Sequence, residues 1–133
     1  MILVDTSIWI QLLNGGLGQT ITADRLVLFA TCGPVIQEVC QGLRDGAQRE
    51  IVLEGLLALP RLADPVPASL YLEAAAIYRL GRRKGYTIRS SIDCLIAAIA
   101  IQNQTPVWHC DRDYVHIARY TSLELIQPPA LHA

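Results

Sequence analysis

The sequence predicts an α/β domain built on a covered parallel sheet, and three observations carry that prediction. Two uncharged, β-prone runs, Ile2 to Val4 and Thr105 to Cys110, each discharge into an acid, Asp5 and Asp111. The first run places apolar side chains on both of its faces, as a strand does when both sides of its sheet are covered. Between the runs lie segments whose apolar residues recur at helical spacing. At 133 residues the chain suits one domain with a core of its own. It carries no internal repeat, low-complexity tract or second domain.

The elements follow in order. Asp5 sits where the first strand gives way to a helix over Ser7 to Leu13, with Ile8, Trp9 and Leu12 on one face and Asn14-Gly15-Gly16 closing it. Asp5 can be read as that helix's N-cap. It can also be read as a reactive acid at the carboxyl end of a strand, where open α/β sheets place their functional crevice. A loop to about Thr20 and a short helix opening at Thr22-Ala23-Asp24 come next. Leu26 to Ala30 is expected to be buried, with helix and strand both open, because the period does not decide. Pro34 starts a helix to Gly42, with Val35, Ile36, Val39 and Leu43 as its stripe and Glu38 beside the buried face. Glu38 can be a boundary residue whose stem packs while its head reaches water.

Ala47 to Leu59 predicts an amphipathic helix burying Ile51, Leu53, Leu56 and Leu57. Pro60 to Pro67 predicts an extended connection with a short strand around Leu62 to Val66. Ser69 to Gly85 predicts a long helix with Leu70, Ala74, Ile77 and Leu80 in line. Arg79, Arg82, Arg83 and Lys84 near its end either complement the helix dipole or, with Arg89, contact a phosphate backbone. Ser90-Ser91 then caps a helix to Ile101 that is apolar nearly all round, so it should be buried. Asp93 is its only charge. A first-turn acid gains from the macrodipole, but the serines already offer caps, so this acid is expected to have another task. After the second strand, a short helix from Asp113 to Tyr120 and a last strand from Leu123 to Ile126 close the domain before Pro128-Pro129.

Composition bounds the function. Hydrophobic residues make up 52% of the chain and charged ones 17%, with mean hydropathy +0.32, and part of that surplus is expected to form an interface. No apolar stretch reaches the roughly 18 residues needed to span a bilayer, and the start lacks a signal peptide's basic flank. A cytoplasmic protein without a membrane partner is expected. Cys32, Cys40, Cys94 and Cys110 form no Cys-x-x-Cys pair and sit in apolar contexts, which predicts reduced core thiols. A net charge of −1 excludes a global basic footprint, so any nucleic-acid contact must come from a local patch.

Asp5, Glu38, Asp93 and Asp111 each follow or interrupt an apolar segment at its polar end. If the fold gathers those ends, four carboxylates share one crevice, and each raises the others' pKa. A divalent cation relieves the repulsion. An oxygen-only ligand set favours magnesium, or manganese as its substitute, over zinc. Such a metal suits phosphodiester hydrolysis, because it acidifies a bound water and neutralises phosphate charge.

These residues carry a resemblance. Leu-Val-Asp-Thr-Ser at the start, Gln-Glu-Val around Glu38, Ser-Ile-Asp before the Ala-Ala helix and Asp-Arg-Asp-Tyr after a strand together resemble the PIN domain, and more narrowly the VapC-type toxin ribonucleases. The likeness spans essentially the whole chain, with residues 1–127 as the nuclease domain and 128–133 as a tail. It implies a central parallel β-sheet flanked by α-helices on both faces, a magnesium-dependent endoribonuclease site, a homodimer and a VapB-like antitoxin. It assigns catalysis and metal binding to Asp5, Glu38, Asp93 and Asp111, with Asp113 as a fifth acid able to exchange roles with Asp111. Thr6 or Ser7 offers the site a hydroxyl. Family members often carry Ser or Thr two positions before the fourth acid, and His109 stands there instead. Arg82, Arg83, Lys84 and Arg89 are the expected RNA contacts. The alternative is a PIN-like module that has lost catalysis and binds protein. A receiver domain would want adjacent acids early and a lysine late, whereas the sole lysine is Lys84; a haloacid-dehalogenase-type phosphatase would want an acid where Ser7 stands.

Overall fold

A computed structural model describes residues 1–14 and 23–126. The expected loop after Asn14 and the tail from 128 lie outside the described residues. Strand β1 (Ile2–Val4) leads into α1 (Thr6–Leu13); α2 (Ala23–Leu26) precedes β2 (Phe29–Ala30). Four helices follow, α3 (Gly33–Gly42), α4 (Ala47–Ala58), α5 (Ala68–Arg83) and α6 (Ser91–Gln102). The described residues end in β3 (Val107–Trp108), α7 (Arg112–Ala118) and β4 (Leu125–Ile126).

The four strands form one parallel sheet in the order β2-β1-β3-β4. Successive strand residues point to opposite faces, and both members of each inner pair, Leu3 and Val4, Val107 and Trp108, are fully buried. Both faces of the sheet are therefore covered, as the uncharged runs predict. Trp9 meets Phe29 edge-on at 6.1 Å, and Phe29 meets Trp108 at 5.8 Å, so aromatic rings fill the space beside β1 and its neighbours.

Topology places the functional edge. From β1 the chain crosses to β2 on one side, and from β3 it crosses to β4 on the other. The strand order thus reverses between β1 and β3, and in such sheets the crevice opens beyond the carboxyl ends at that reversal. Leu3 pairs with Val107 and Val4 with Trp108, so Asp5 and His109 leave their strands side by side. Helix α6 packs against α3, α5 and α7 and is buried continuously from Asp93 to Ala100, the environment an all-round apolar helix requires.

Several local expectations differ from the structure. The Leu26 to Ala30 run is split: Phe29 and Ala30 are buried in β2, while Val27 is 79% exposed and Leu28 also faces out. Helix α4 buries Leu56 with Val52 and Leu59 packed beside it, and Ile51 and Leu57 are exposed. Two overlapping stripes compete on this helix, and contact with α3 selects the one containing Val52. No strand forms at Leu62 to Val66 among the described residues; the connection is tied to the sheet by a bridge between Thr31 and Arg61. All four cysteines are free, as expected, and burial pushes the thiols of Cys32 and Cys94 up to about 12 and about 11. Cys110, however, is exposed and Cys40 only half-buried, because each lies where its element meets the surface.

Candidate metal centre

Asp5 is both the N-cap of α1 and a member of the acidic site, so the two readings of this residue are compatible. Its Oδ2 accepts from the Ser7 backbone N–H at 3.0 Å and from the Ser7 hydroxyl. Its Oδ1 accepts from the Tyr114 hydroxyl at 2.6 Å. The carboxylate is almost wholly buried. The Ser7 hydroxyl also accepts from the backbone N–H of Cys110 at 3.1 Å, tying the ends of β1 and β3 together.

Asp93, Asp111 and Asp113 form the tight group. One carboxylate oxygen from each lies within 4.8 Å of the others. Asp111 caps α7, its Oδ1 accepting from the Asp113 N–H at 2.9 Å. Asp113 Oδ2 accepts from the backbone N–H groups of Arg89 and Ser90, both at 3.1 Å, while Oδ1 lies 3.8 Å from the Arg89 guanidinium. The serine cap expected for α6 is therefore not made by serine: Ser90 occupies the N-cap position without a side-chain cap bond. A carboxylate from α7 holds the backbone there instead, coupling the start of α6 to the start of α7.

Asp93 Oδ2 is buried with no hydrogen-bond partner. Burial, and after it the charges of Asp5, Asp111, Asp113 and Glu38, push the Asp93 carboxyl up to about 8. Glu38, on α3, is half-buried and its carboxyl is also raised, first by burial; the Thr6 hydroxyl, donating to Oε1 at 3.0 Å, opposes that shift, and Asp5 and Asp111 add to it. Asp5 and Glu38 stand outside the tight triplet, but their charges reach it. The five acids thus share one electrostatic environment, and Asp93, buried within it, is the acid whose carboxyl burial and its neighbours push up to about 8. The donors are oxygens, the charge is excessive and one buried oxygen is unpartnered, a set that fits a hard divalent cation.

His109 is fully buried behind the turn that carries Asp111. Its Nδ1 accepts from the Asp111 N–H at 3.1 Å, which places the ring proton on Nε2. Burial lowers its pKa, so the imidazole is neutral at neutral pH. It braces the turn carrying Asp111 and packs against the Tyr114 ring at 5.2 Å. Arg89 is 68% exposed at the rim of the acids. Arg82, Arg83 and Lys84 are exposed at the end of α5 and make no ion pair among the described residues.

Tyr114 escaped the sequence reasoning, which read its segment as a short helix after the acids. The available signal was a tyrosine three residues after Asp111 on a helix start that must pack inward. Gln11, whose Nε2 lies 2.8 Å from Cys110 Sγ, was equally silent.

A profile of the PIN domain matches residues 2–120. The chain is 35% identical over 130 residues to VapC ribonuclease Mb1587 of Mycobacterium bovis and, to the same degree, to ribonuclease VapC11 of Mycobacterium tuberculosis; each match covers 93% of this chain and 96% of the relative. Among solved structures, VapBC2 from Rickettsia felis bound to a promoter DNA fragment superposes with a TM-score of 0.71 at 19% identity, covering 96% of this chain and 98% of the other. VapBC-5 from M. tuberculosis gives 0.68 at 22% identity, covering 95% and 97%. At these identities the solved structures share the fold.

Proposed function

The chain belongs to the PIN-domain family, and from that membership we propose that it is an endoribonuclease working with magnesium, the toxin half of a toxin–antitoxin pair restrained by a VapB-like antitoxin. Its relatives at 35% identity are named as VapC ribonucleases, and PIN nucleases are metal-dependent. The observation that carries the reading is the gathering of Asp93, Asp111 and Asp113, with the charges of Asp5 and Glu38 reaching them, at the sheet's reversal point. Acids brought from β1, α3, α6 and α7 into one desolvated pocket oppose folding unless a ligand uses them.

Asp5, Asp93 and Asp111 would hold the cation, joined by Asp113, which offers an oxygen within 4.8 Å of those of Asp93 and Asp111, with Glu38 at the margin. When bound, a divalent cation supplies an acidified water and neutralises charge on the phosphate. The chain's own residues do the rest. Ser7 fixes one oxygen of Asp5, Thr6 holds Glu38 beside Asp5, and Asp113 locks the backbone from which Asp93 enters the site. Glu38 is half-buried, and burial raises its carboxyl above the ordinary value while the Thr6 hydroxyl opposes the shift, so at the site's margin it would be a more basic carboxylate than an ordinary glutamate. Arg89, and beyond it Arg82, Arg83 and Lys84, would bind RNA phosphates along the approach, a local basic patch on a chain with no basic excess.

No helix among the described residues is long and apolar enough to cross a membrane; the RNA substrate proposed above would place its action in the cytoplasm. A homodimer would use part of the exposed apolar surface, to which Tyr71 and Leu72 on α5 and Ile51 and Leu57 on α4 contribute. The test is RNA incubated with the protein plus magnesium, with EDTA added, and with Asp5→Asn. Cleavage confined to the parent with magnesium is the expected result. Parent protein that leaves all RNA intact under these conditions would make the protein-binding module the better reading.

A further inference from the structure

Asp5 is clamped at both oxygens, and the two clamps differ in origin. Ser7, two residues away on the same helix start, holds Oδ2. Oδ1 is held by a hydroxyl 109 positions along the chain, that of Tyr114 on α7. The Tyr114 ring has no exposed surface, and His109, itself tied to the Asp111 backbone, packs against it. Burying an aromatic ring at this place needs no hydroxyl. A phenol taken out of water is costly unless paired, and the partner it has is a carboxylate of the acidic site. Because Asp111 caps the same helix, α7 places one acid and orients another. Its register couples the ends of β1 and β3.

We propose that Tyr114 is a positioning residue for Asp5, fixing the rotation of that carboxylate and thereby setting the affinity of the site for its divalent cation. The inference rests on the metal-dependent reading given above. Without the phenol, Oδ1 turns or recruits water, and the cation must organise the carboxylate as it binds. A hydrogen bond to a charged group is stronger than a neutral one, so its loss is large enough to read in a binding constant.

The experiment compares parent and Tyr114→Phe by calorimetric titration with magnesium alone, beside thermal unfolding without metal. The expected result is a magnesium dissociation constant raised about tenfold or more in a cooperatively folded variant. RNA cleavage should shift to higher magnesium and recover most of kcat at saturation, a split that a merely structural tyrosine would not give. An unchanged or tighter constant in the folded variant overturns the proposal while leaving the nuclease reading intact, provided the parent cleaves RNA. A parent that binds no magnesium overturns both. If Tyr114→Phe does not fold, fluorotyrosine-labelled parent carries the test, with resonances assigned by elimination using Phe at Tyr71, Tyr78, Tyr86 and Tyr120. Magnesium should then move the Tyr114 fluorine signal; a signal indifferent to magnesium overturns the proposal.

Discussion

Substituting Asp93→Asn in the metal-free protein should stabilise it, and by an amount that depends on pH. The Asp93 carboxyl is raised from 3.8 to about 8 by burial and by the surrounding acids. A carboxyl whose folded pKa is raised contributes stability that is fully present below its unfolded pKa and is lost as pH climbs toward the folded one. At pH 4 the native and unfolded proteins both tolerate the proton. By pH 7 the unfolded chain has released it over roughly three pH units in which the native site keeps it, at about 1.36 kcal/mol per unit, so the loss approaches ~4 kcal/mol. That figure is an upper bound, since water entry and side-chain movement relax the site. For a domain of this length 1 kcal/mol corresponds to about 3–5 °C in Tm. Asn keeps the size, cannot ionise, and offers an N–H₂ to the neighbouring carboxylates. Urea and thermal melts of both proteins in EDTA between pH 5 and 8 should show the parent weakening as pH rises and the variant nearly flat. Magnesium at a hundredfold excess over its dissociation constant should return about 2.7 kcal/mol to the parent and little to the variant. Equal pH slopes, or equal magnesium responses, would refute the shared-site argument and reduce Asp93 to a first-turn acid.

Three further outcomes test the packing and the RNA approach. Leu56→Ala should cost about 2–4 kcal/mol by leaving a cavity under α4, whereas Ile51→Ala, being exposed, should stay within about 0.5 kcal/mol in the same urea melts. Gly81→Ala would set a methyl against the Tyr120 hydroxyl, which donates to the Ile77 carbonyl at 3.0 Å; despite alanine's better helix propensity, a net loss of about 1–2 kcal/mol is expected, read by thermal unfolding. Replacing Arg82, Arg83 and Lys84 together by Gln should flatten the salt dependence of RNA binding by about 0.7 in log–log slope for each phosphate contact removed. An unchanged slope would leave those residues as partners of the α5 dipole alone.

What the sequence determined by itself is local and directional. An uncharged β-prone run with apolar residues on both faces suits a strand covered on both sides, so β1 and β3 were legible, and so were the acids at their ends. The unbroken apolar face of α6 dictated its burial, and its single charge marked Asp93 as a residue needing an explanation. Four motifs in order identified the family, each setting a carboxylate against an apolar segment: Asp5 and Asp111 at strand ends, Glu38 beside the buried face of α3 and Asp93 in the first turn of α6. Tertiary structure decided everything that depends on which element lies beside which. Val52 and Leu56 win over Ile51 and Leu57 because α3 meets that side of α4, a choice that periodicity leaves degenerate. Thr105 to Cys110 reads as one strand, yet the ladder keeps only Val107 and Trp108, because pairing needs a neighbour at each position. Asp113 became the holder of the Arg89 and Ser90 amides, and Tyr114 the partner of Asp5, through contacts spanning more than twenty and more than a hundred residues. A hydrogen-bond partner at that separation is set by strand order and helix register, and neither leaves a trace in the residues next to it.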